Sequence, residues 1–178
     1  SERFETPLLG GHNVTNILLA TAIALHEKMS LKEAARRVRG LQPAESRLVK
    51  QTSPEGITII NDAYSANPVG IVHALRVLSM HTGGRRLLIT PGMVELGPLQ
   101  EQENRKLGEI AAQHATDVIL VGAAQTHPIK DGLLSAGFAS DRVLTVETLK
   151  ESVAWYQGNL KPGDTVLFLN DLPDTYSS

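Results

Sequence analysis

A short polar segment that directly follows an apolar, β-branched run carries the side chains best suited to hold a ligand. Residues 57–60, Ile-Thr-Ile-Ile, predict a buried strand, and residues 67–68, Asn-Pro, predict the cap and first turn of a helix. Between strand and helix the chain offers a carboxylate, a phenol, a hydroxyl and an amide, from Asp62, Tyr64, Ser65 and Asn67. Because ligands of open α/β sheets bind beyond the carboxyl ends of the strands, this segment is the first candidate site.

The same segment has a structural interpretation, which the residues alone leave open. In that interpretation Asp62 and Asn67 cap and turn the chain, and the Tyr64 ring packs with its hydroxyl in water. In the functional interpretation, Asp62 and the side chains after it contact a polar ligand at the edge of the sheet.

Two asparagines next to a long helical pattern form a second candidate. Asn13 and Asn16 precede the apolar spacing of residues 17–28, which predicts a helix. Either asparagine is suited to cap that helix. Alternatively, their amides can hydrogen-bond a heteroaromatic base, because an amide offers both a donor and an acceptor.

Two charged residues next to predicted strands are further candidates. Glu95 is the only charged group of residues 90–98, a loop rich in glycine and proline, and Arg47 opens a strand. Each is compatible with an ordinary surface position or with a ligand contact at the sheet edge. Residues 170–174, after the last predicted strand, have the composition of a plain turn.

The elements that position these residues alternate along the chain. Two helices are predicted first, 17–28 and 31–40, and then a hairpin of residues 47–52 and 56–61. Helix and strand then alternate four times, with helices 68–80, 99–114, 126–136 and 148–159 and strands 85–90, 117–121, 142–146 and 165–169. This alternation predicts an α/β fold with a mostly parallel sheet and helices on both of its faces.

Composition excludes several classes of function. The 178 residues are 42% hydrophobic and carry a net charge of −2, which gives no reason to expect a nucleic-acid partner. The chain has no cysteine and no metal-ligand spacing of histidines, and no apolar run approaches the roughly 20 residues of a membrane span. No phosphate-binding or dinucleotide-binding glycine loop occurs at the expected place. We therefore expect a cytoplasmic protein with no metal site and no membrane insertion.

Four segments, in order along the chain, resemble motifs of the Mur ligases. Residues 11–20, Gly-His-Asn-Val-Thr-Asn-Ile-Leu-Leu-Ala, resemble the helix start that ends the family's central ATPase domain, and residues 43–47 resemble its domain junction with an arginine. Residues 62–68 resemble the Asp-x-Tyr-x-x-Asn-Pro motif of the C-terminal domain. Residues 92–97, Gly-Met-Val-Glu-Leu-Gly, are similar to the family's Gly-Asp-Met-x-Glu-Leu-Gly loop.

The resemblance implies a domain organisation and a set of site residues. Residues 1–42 would be the end of the central ATPase domain, and residues 43–178 the Rossmann-like C-terminal domain. ATP and Mg²⁺ would be bound mainly by a preceding part of a longer protein, so that this chain alone would be inactive. Nucleotide contacts are implied for Asn13, Asn16, Arg47 and Asp62, and positions in the closed cleft for Tyr64, Ser65, Asn67 and Glu95.

The resemblance also implies an activity. Mur ligases are ATP-dependent amide ligases that join an amino acid or dipeptide to a UDP-sugar peptide precursor of peptidoglycan through an acyl phosphate. Asn67 and the loop with Glu95 are most similar to the type that adds D-alanyl-D-alanine to UDP-N-acetylmuramoyl-tripeptide. The alternatives are a Mur-like ligase with another acceptor and a Rossmann-like binding module without catalysis. A folylpolyglutamate or cyanophycin synthetase ranks lower, because histidine is expected there in place of Asn67.

Overall fold

The computed structural model describes residues 1–64 and 66–170, and within them six strands form one sheet. The strands are β1 (Val49–Thr52), β2 (Thr58–Asp62), β3 (Arg86–Thr90), β4 (Asp117–Val121), β5 (Val143–Val146) and β6 (Thr165–Leu169). The helices are α1 (His12–His26), α2 (Leu31–Arg39), α3 (Gly70–Ser79), α4 (Gln100–His114), α5 (Ala123–Ser135) and α6 (Leu149–Asn159). Single 3-10 turns cover Gly97–Leu99 and Ser140–Arg142. Ser65 and the predicted turn over residues 171–174 lie outside the described residues.

The strand that comes last in the sequence lies in the middle of the sheet. β6 pairs in parallel with β2 on one side and with β3 on the other, so that Leu167 lies between Ile60 and Leu88. The strand order is β1-β2-β6-β3-β4-β5, and only β1 is antiparallel to its neighbour. The predicted hairpin and the predicted mostly parallel sheet are both confirmed.

Helices cover both faces of this sheet. Successive side chains of a strand point to opposite faces, so Leu88 joins the buried cluster that holds α3, α4 and α5. Leu87 and Ile89 join a second buried cluster, which packs against Trp155 and Tyr156 of α6. The central strands of the sheet are therefore buried on both faces.

The two helices before the hairpin differ in burial. α2 begins as predicted, since the Ser30 hydroxyl accepts a hydrogen bond from the Glu33 amide at 3.2 Å, and it buries Ala34 and Val38. α1 has no buried residue among those described. No helix within the described residues has the length and apolarity needed to cross a lipid bilayer.

Two helices begin earlier than predicted. α1 starts at His12 rather than at residue 17, and α5 starts at Ala123 rather than at residue 126. In both helices the first turn is made mainly of polar or small residues. The apolar spacing on which the prediction rests therefore begins one turn too late.

Two buried aspartates hold the amino ends of the strands. Asp117 accepts hydrogen bonds from Arg85 at 2.6 Å and from Arg142 at 3.2 Å, and Asp164 accepts one from the Arg85 amide at 2.7 Å. Burial by itself raises the pKa of Asp117, but hydrogen bonds from Arg85, Thr116 and Arg142 outweigh it and hold the pKa below its usual value. The charges at this edge thus neutralise one another.

Candidate functional site

A cavity of about 560 Å³ lies beside the carboxyl end of β2. Its walls come from α1, the segment before β1, the end of β2 and the start of α3. Five of the predicted site residues line it: Asn13, Asn16, Arg47, Asp62 and Asn67. Residues from four separate parts of the sequence therefore meet at the sheet edge where ligands of open α/β sheets bind.

Asp62 turns the chain, as its structural interpretation predicts, and it also lines the cavity. It is the last residue of β2, and its Oδ1 accepts a hydrogen bond from the Leu48 amide at 3.0 Å. Leu48 is buried and has a left-handed backbone (φ 52°), so this bond holds a sharp turn before β1. Burial raises the pKa of Asp62, although the Leu48 amide and the charges of Arg47 and His12 oppose that shift. The carboxylate thus turns the chain and lines the cavity.

The guanidinium of Arg47 packs against an aromatic ring. The carbon of its guanidinium lies 4.1 Å from the centre of the Tyr64 ring, a distance typical of a cation–π contact. Tyr64 is 67% exposed and is not among the residues that line the cavity. The ring thus lies beside the arginine, which itself lines the cavity, and it restricts where the guanidinium can point.

The asparagines of α1 do not cap the helix. α1 begins at His12, its N-cap is Gly11, and no side chain makes the capping hydrogen bond. The Asn13 amide nitrogen donates to the Leu9 carbonyl at 2.7 Å, and the Asn16 amide nitrogen donates to Asn13 Oδ1 at 3.4 Å. The capping interpretation is therefore wrong. Both amides lie in the first turns, where Asn16 Oδ1 has no protein donor among the described residues.

Asn67 holds the turn that leads into α3, whose N-cap residue is Val69 without a side-chain capping bond. Its Oδ1 accepts hydrogen bonds from the amides of Val69 at 3.1 Å and Gly70 at 2.9 Å. Its backbone carbonyl accepts from the Ile71 amide at 3.1 Å. The side chain that closes the polar segment therefore fixes the start of the helix that walls the cavity.

Two predicted site residues, Tyr64 and Glu95, are not among the residues that line the cavity. Glu95 is exposed, has a left-handed backbone (φ 63°) and follows β3 in a separate loop. It is not among the residues that line the cavity. Ser65 lies outside the described residues, so its position at the site stays a prediction.

Asn170 is a residue of this edge that the sequence did not single out as part of a site. It follows β6, is 9% exposed and has a left-handed backbone (φ 64°). Its Oδ1 accepts from the Ala66 amide at 3.2 Å, and its Nδ2 donates to the Gly92 carbonyl at 2.6 Å. Asn170 thus links the loop after β2 to the loop after β3. An asparagine after an apolar strand is the only sequence signal, and it is shared with ordinary turns.

Replacing Asn170 with glycine is expected to lower the free energy of unfolding by about 1–3 kcal/mol, because a part-buried amide and a buried carbonyl lose their partners. Glycine tolerates the left-handed backbone, so the loss of stability measures the contribution of the Asn170 side chain and contains no backbone strain. Urea unfolding measures it, with exposed Asn159→Ala on α6 as the control. Equal stability of the Asn170→Gly variant and the unchanged protein would mean that the two loops do not depend on this link.

Comparison with known proteins gives a family from the sequence and a matching fold from the structure. The chain is 30% identical, over 166 residues and 93% of its length, to UDP-N-acetylmuramoyl-tripeptide--D-alanyl-D-alanine ligase of Bacillus subtilis (strain 168), of which it covers 36%. It spans about a third of the length of the curated relatives that it matches.

Two solved structures share the fold. MurF from Acinetobacter baumannii superposes with a TM-score of 0.76 at 24% identity, over 97% of this chain and 37% of that one. MurF ligase from Thermotoga maritima, solved in complex with ADP, has a TM-score of 0.76 at 18% identity, over 91% and 35%. The family profile described as "Mur ligase, glutamate ligase domain" matches residues 46–170, and the chain therefore belongs to the Mur ligase family.

Proposed function

We propose that this chain is the C-terminal part of an ATP-dependent amide ligase of peptidoglycan precursor synthesis. In this proposal the complete protein joins D-alanyl-D-alanine to UDP-N-acetylmuramoyl-tripeptide through an acyl phosphate. The observation that carries it is the cavity beside β2, which gathers Asn13, Asn16, Arg47, Asp62 and Asn67. The name of the Bacillus subtilis relative supports the choice of acceptor.

The residues around the cavity suit a nucleotide. Its volume falls within the roughly 300–1,000 Å³ of small-molecule pockets. Asn16 offers a free amide oxygen for the exocyclic amine of adenine, and Arg47 offers a guanidinium for phosphate oxygens. Asp62 supplies a carboxylate that can accept from ribose hydroxyls. The chemistry of this donor set supports ATP as the bound nucleotide.

The proposal divides the work between this chain and the rest of the protein. Residues 1–42 are assigned to the end of the central ATPase domain and residues 43–178 to the C-terminal domain. The phosphate loop and the Mg²⁺ ligands are assigned to the preceding part. Closure of the C-terminal domain would exclude water from an acyl phosphate, which otherwise hydrolyses, and would bring Arg47 to the phosphates. UDP-linked precursors of peptidoglycan are made in the cytoplasm, so a cytoplasmic location is part of the proposal.

An assay of the complete protein tests this function. ADP release is measured with Mg-ATP, UDP-N-acetylmuramoyl-tripeptide and a panel of single amino acids and dipeptides. We expect release that depends on D-alanyl-D-alanine, and none from the 178-residue chain alone. Release with a different acceptor would assign another Mur-type specificity. No release with any acceptor would favour a binding module and contradict the ligase proposal.

A further inference from the structure

Two histidines from different elements face each other at the cavity. His12 begins α1 and His73 lies in the first turn of α3, and both line the cavity. Their ring centres are 5.1 Å apart with an interplanar angle of 61°, an edge-to-face contact. Neither imidazole hydrogen-bonds another protein group among the described residues. The pair therefore presents ring faces and ring nitrogens that the protein itself does not use.

The backbone leaves space for both rings. A Cβ on Gly10, whose φ is +88°, would lie 2.6 Å from His12 Cε1 and 2.9 Å from Leu48 Cδ2. A Cβ on Gly11 would lie 3.5 Å from His73 Nδ1. Any side chain at residue 10 would therefore displace the His12 ring, whereas a Cβ at residue 11 would make only an ordinary contact with His73.

The pair is next to the amides that are proposed to bind the base. His12 and Asn16 are four residues apart on α1, so they lie on the same face of the helix. Burial lowers the pKa of His12, and the neighbouring His73 lowers it further, although Asp62 opposes the shift. At neutral pH His12 is therefore an uncharged ring, which is suited to contact a neutral heteroaromatic base.

We propose that His73, supported by His12, is a base-binding residue, which packs its imidazole against the purine of the bound nucleotide. This assignment rests on the proposed function, because it takes the ligand of the cavity to be an adenine nucleotide. The base would be held by the Asn16 amide at its edge and by the imidazole pair against its ring. Aromatic side chains stack on bases with energies that matter for affinity, because every base has a π-face. His73 would thus add a contact from α3 to the contacts that α1 makes.

Calorimetric binding of ADP to the complete protein tests this assignment. We expect His73→Ala to raise the Kd for ADP about 10-fold, in the range of a lost base-stacking contact. His73→Phe, which keeps an aromatic ring, should stay within about threefold of the unchanged protein. Inorganic tripolyphosphate, which has no base, should bind all variants equally. The control is His127→Ala, an exposed histidine of α5 outside the cavity.

Two results would overturn the assignment. The first is an unchanged Kd for ADP in His73→Ala; if the melting temperature is lowered at the same time, the imidazole pair is a packing contact between α1 and α3 only. The second is an equal loss of ADP and tripolyphosphate affinity. Failure of the ligase proposal appears differently, as ADP binding without ligation.

Discussion

Replacing Arg47 with alanine is expected to lower kcat/KM of the complete ligase by about 100-fold or more, while the protein stays folded. The guanidinium is exposed at the cavity, is held over the Tyr64 ring and has Asp62 beside it. A charge held in place before the reaction stabilises the phosphate charge of the transition state without paying for reorganisation. The measurement is kcat/KM for ATP, from the steady-state rate of ADP release at varied ATP with saturating precursor and acceptor.

The matched control for Arg47 is Arg76→Ala. Arg76 is an exposed arginine of α3 and is not among the residues that line the cavity. We expect its removal to change kcat/KM less than twofold, since exposed charges away from a site contribute little. Equal rates for Arg47→Ala and the unchanged protein, with urea unfolding showing both folded, would reject the phosphate contact and leave Arg47 as a surface residue.

Replacing Gly108 with alanine is expected to lower the free energy of unfolding by about 3 kcal/mol. α4 and α5 cross with their backbones in contact at Gly108 and Gly132. A Cβ on Gly108 would overlap the Ile129 carbonyl, and one on Gly132 would overlap the Arg105 carbonyl. Because both obstacles are backbone atoms, no side chain can move aside, and the two helices must separate. Urea unfolding measures the loss.

The control for Gly108 is Gly158→Ala on α6. A Cβ on Gly158 would meet no atom within 4 Å, so alanine there should be neutral or stabilise by up to about 1 kcal/mol through its helix propensity. The same substitution should therefore have opposite effects on two helices. If Gly108→Ala also leaves stability unchanged, the helices are free to move apart and their close crossing does not stabilise the fold.

Local sequence signals predicted the elements well because each signal has a local cause. Apolar runs and turn residues predicted all six strands to within two residues of their observed bounds. The cap at Ser30 and the turn at Asn67 depend on hydrogen bonds accepted from amides within three residues, so residue type and position were sufficient. Where the first turn of a helix is polar, as at His12, the same signals predicted a helix start too far along the sequence.

Contacts between distant residues were not readable from the same patterns. Nothing local places β6 between β2 and β3, yet that placement brings Asn170 between the loops that follow those two strands. The position of His73 beside His12 depends on how α3 packs against α1. The sequence left His73 without an interpretation, because a lone histidine in a helix has no spacing that indicates a ligand.

By itself, the sequence determined the α/β class, the hairpin, the strand ends at which polar residues collect, and the resemblance to the Mur ligases. Each of these follows from residue types at short separations, where hydrogen bonding and apolar periodicity act. Tertiary structure alone decided which polar residues share a cavity, that Glu95 is not in its wall, and that Gly108 meets Ile129. These contacts join residues far apart in the chain, and they form only when the buried sheet and its helices pack together.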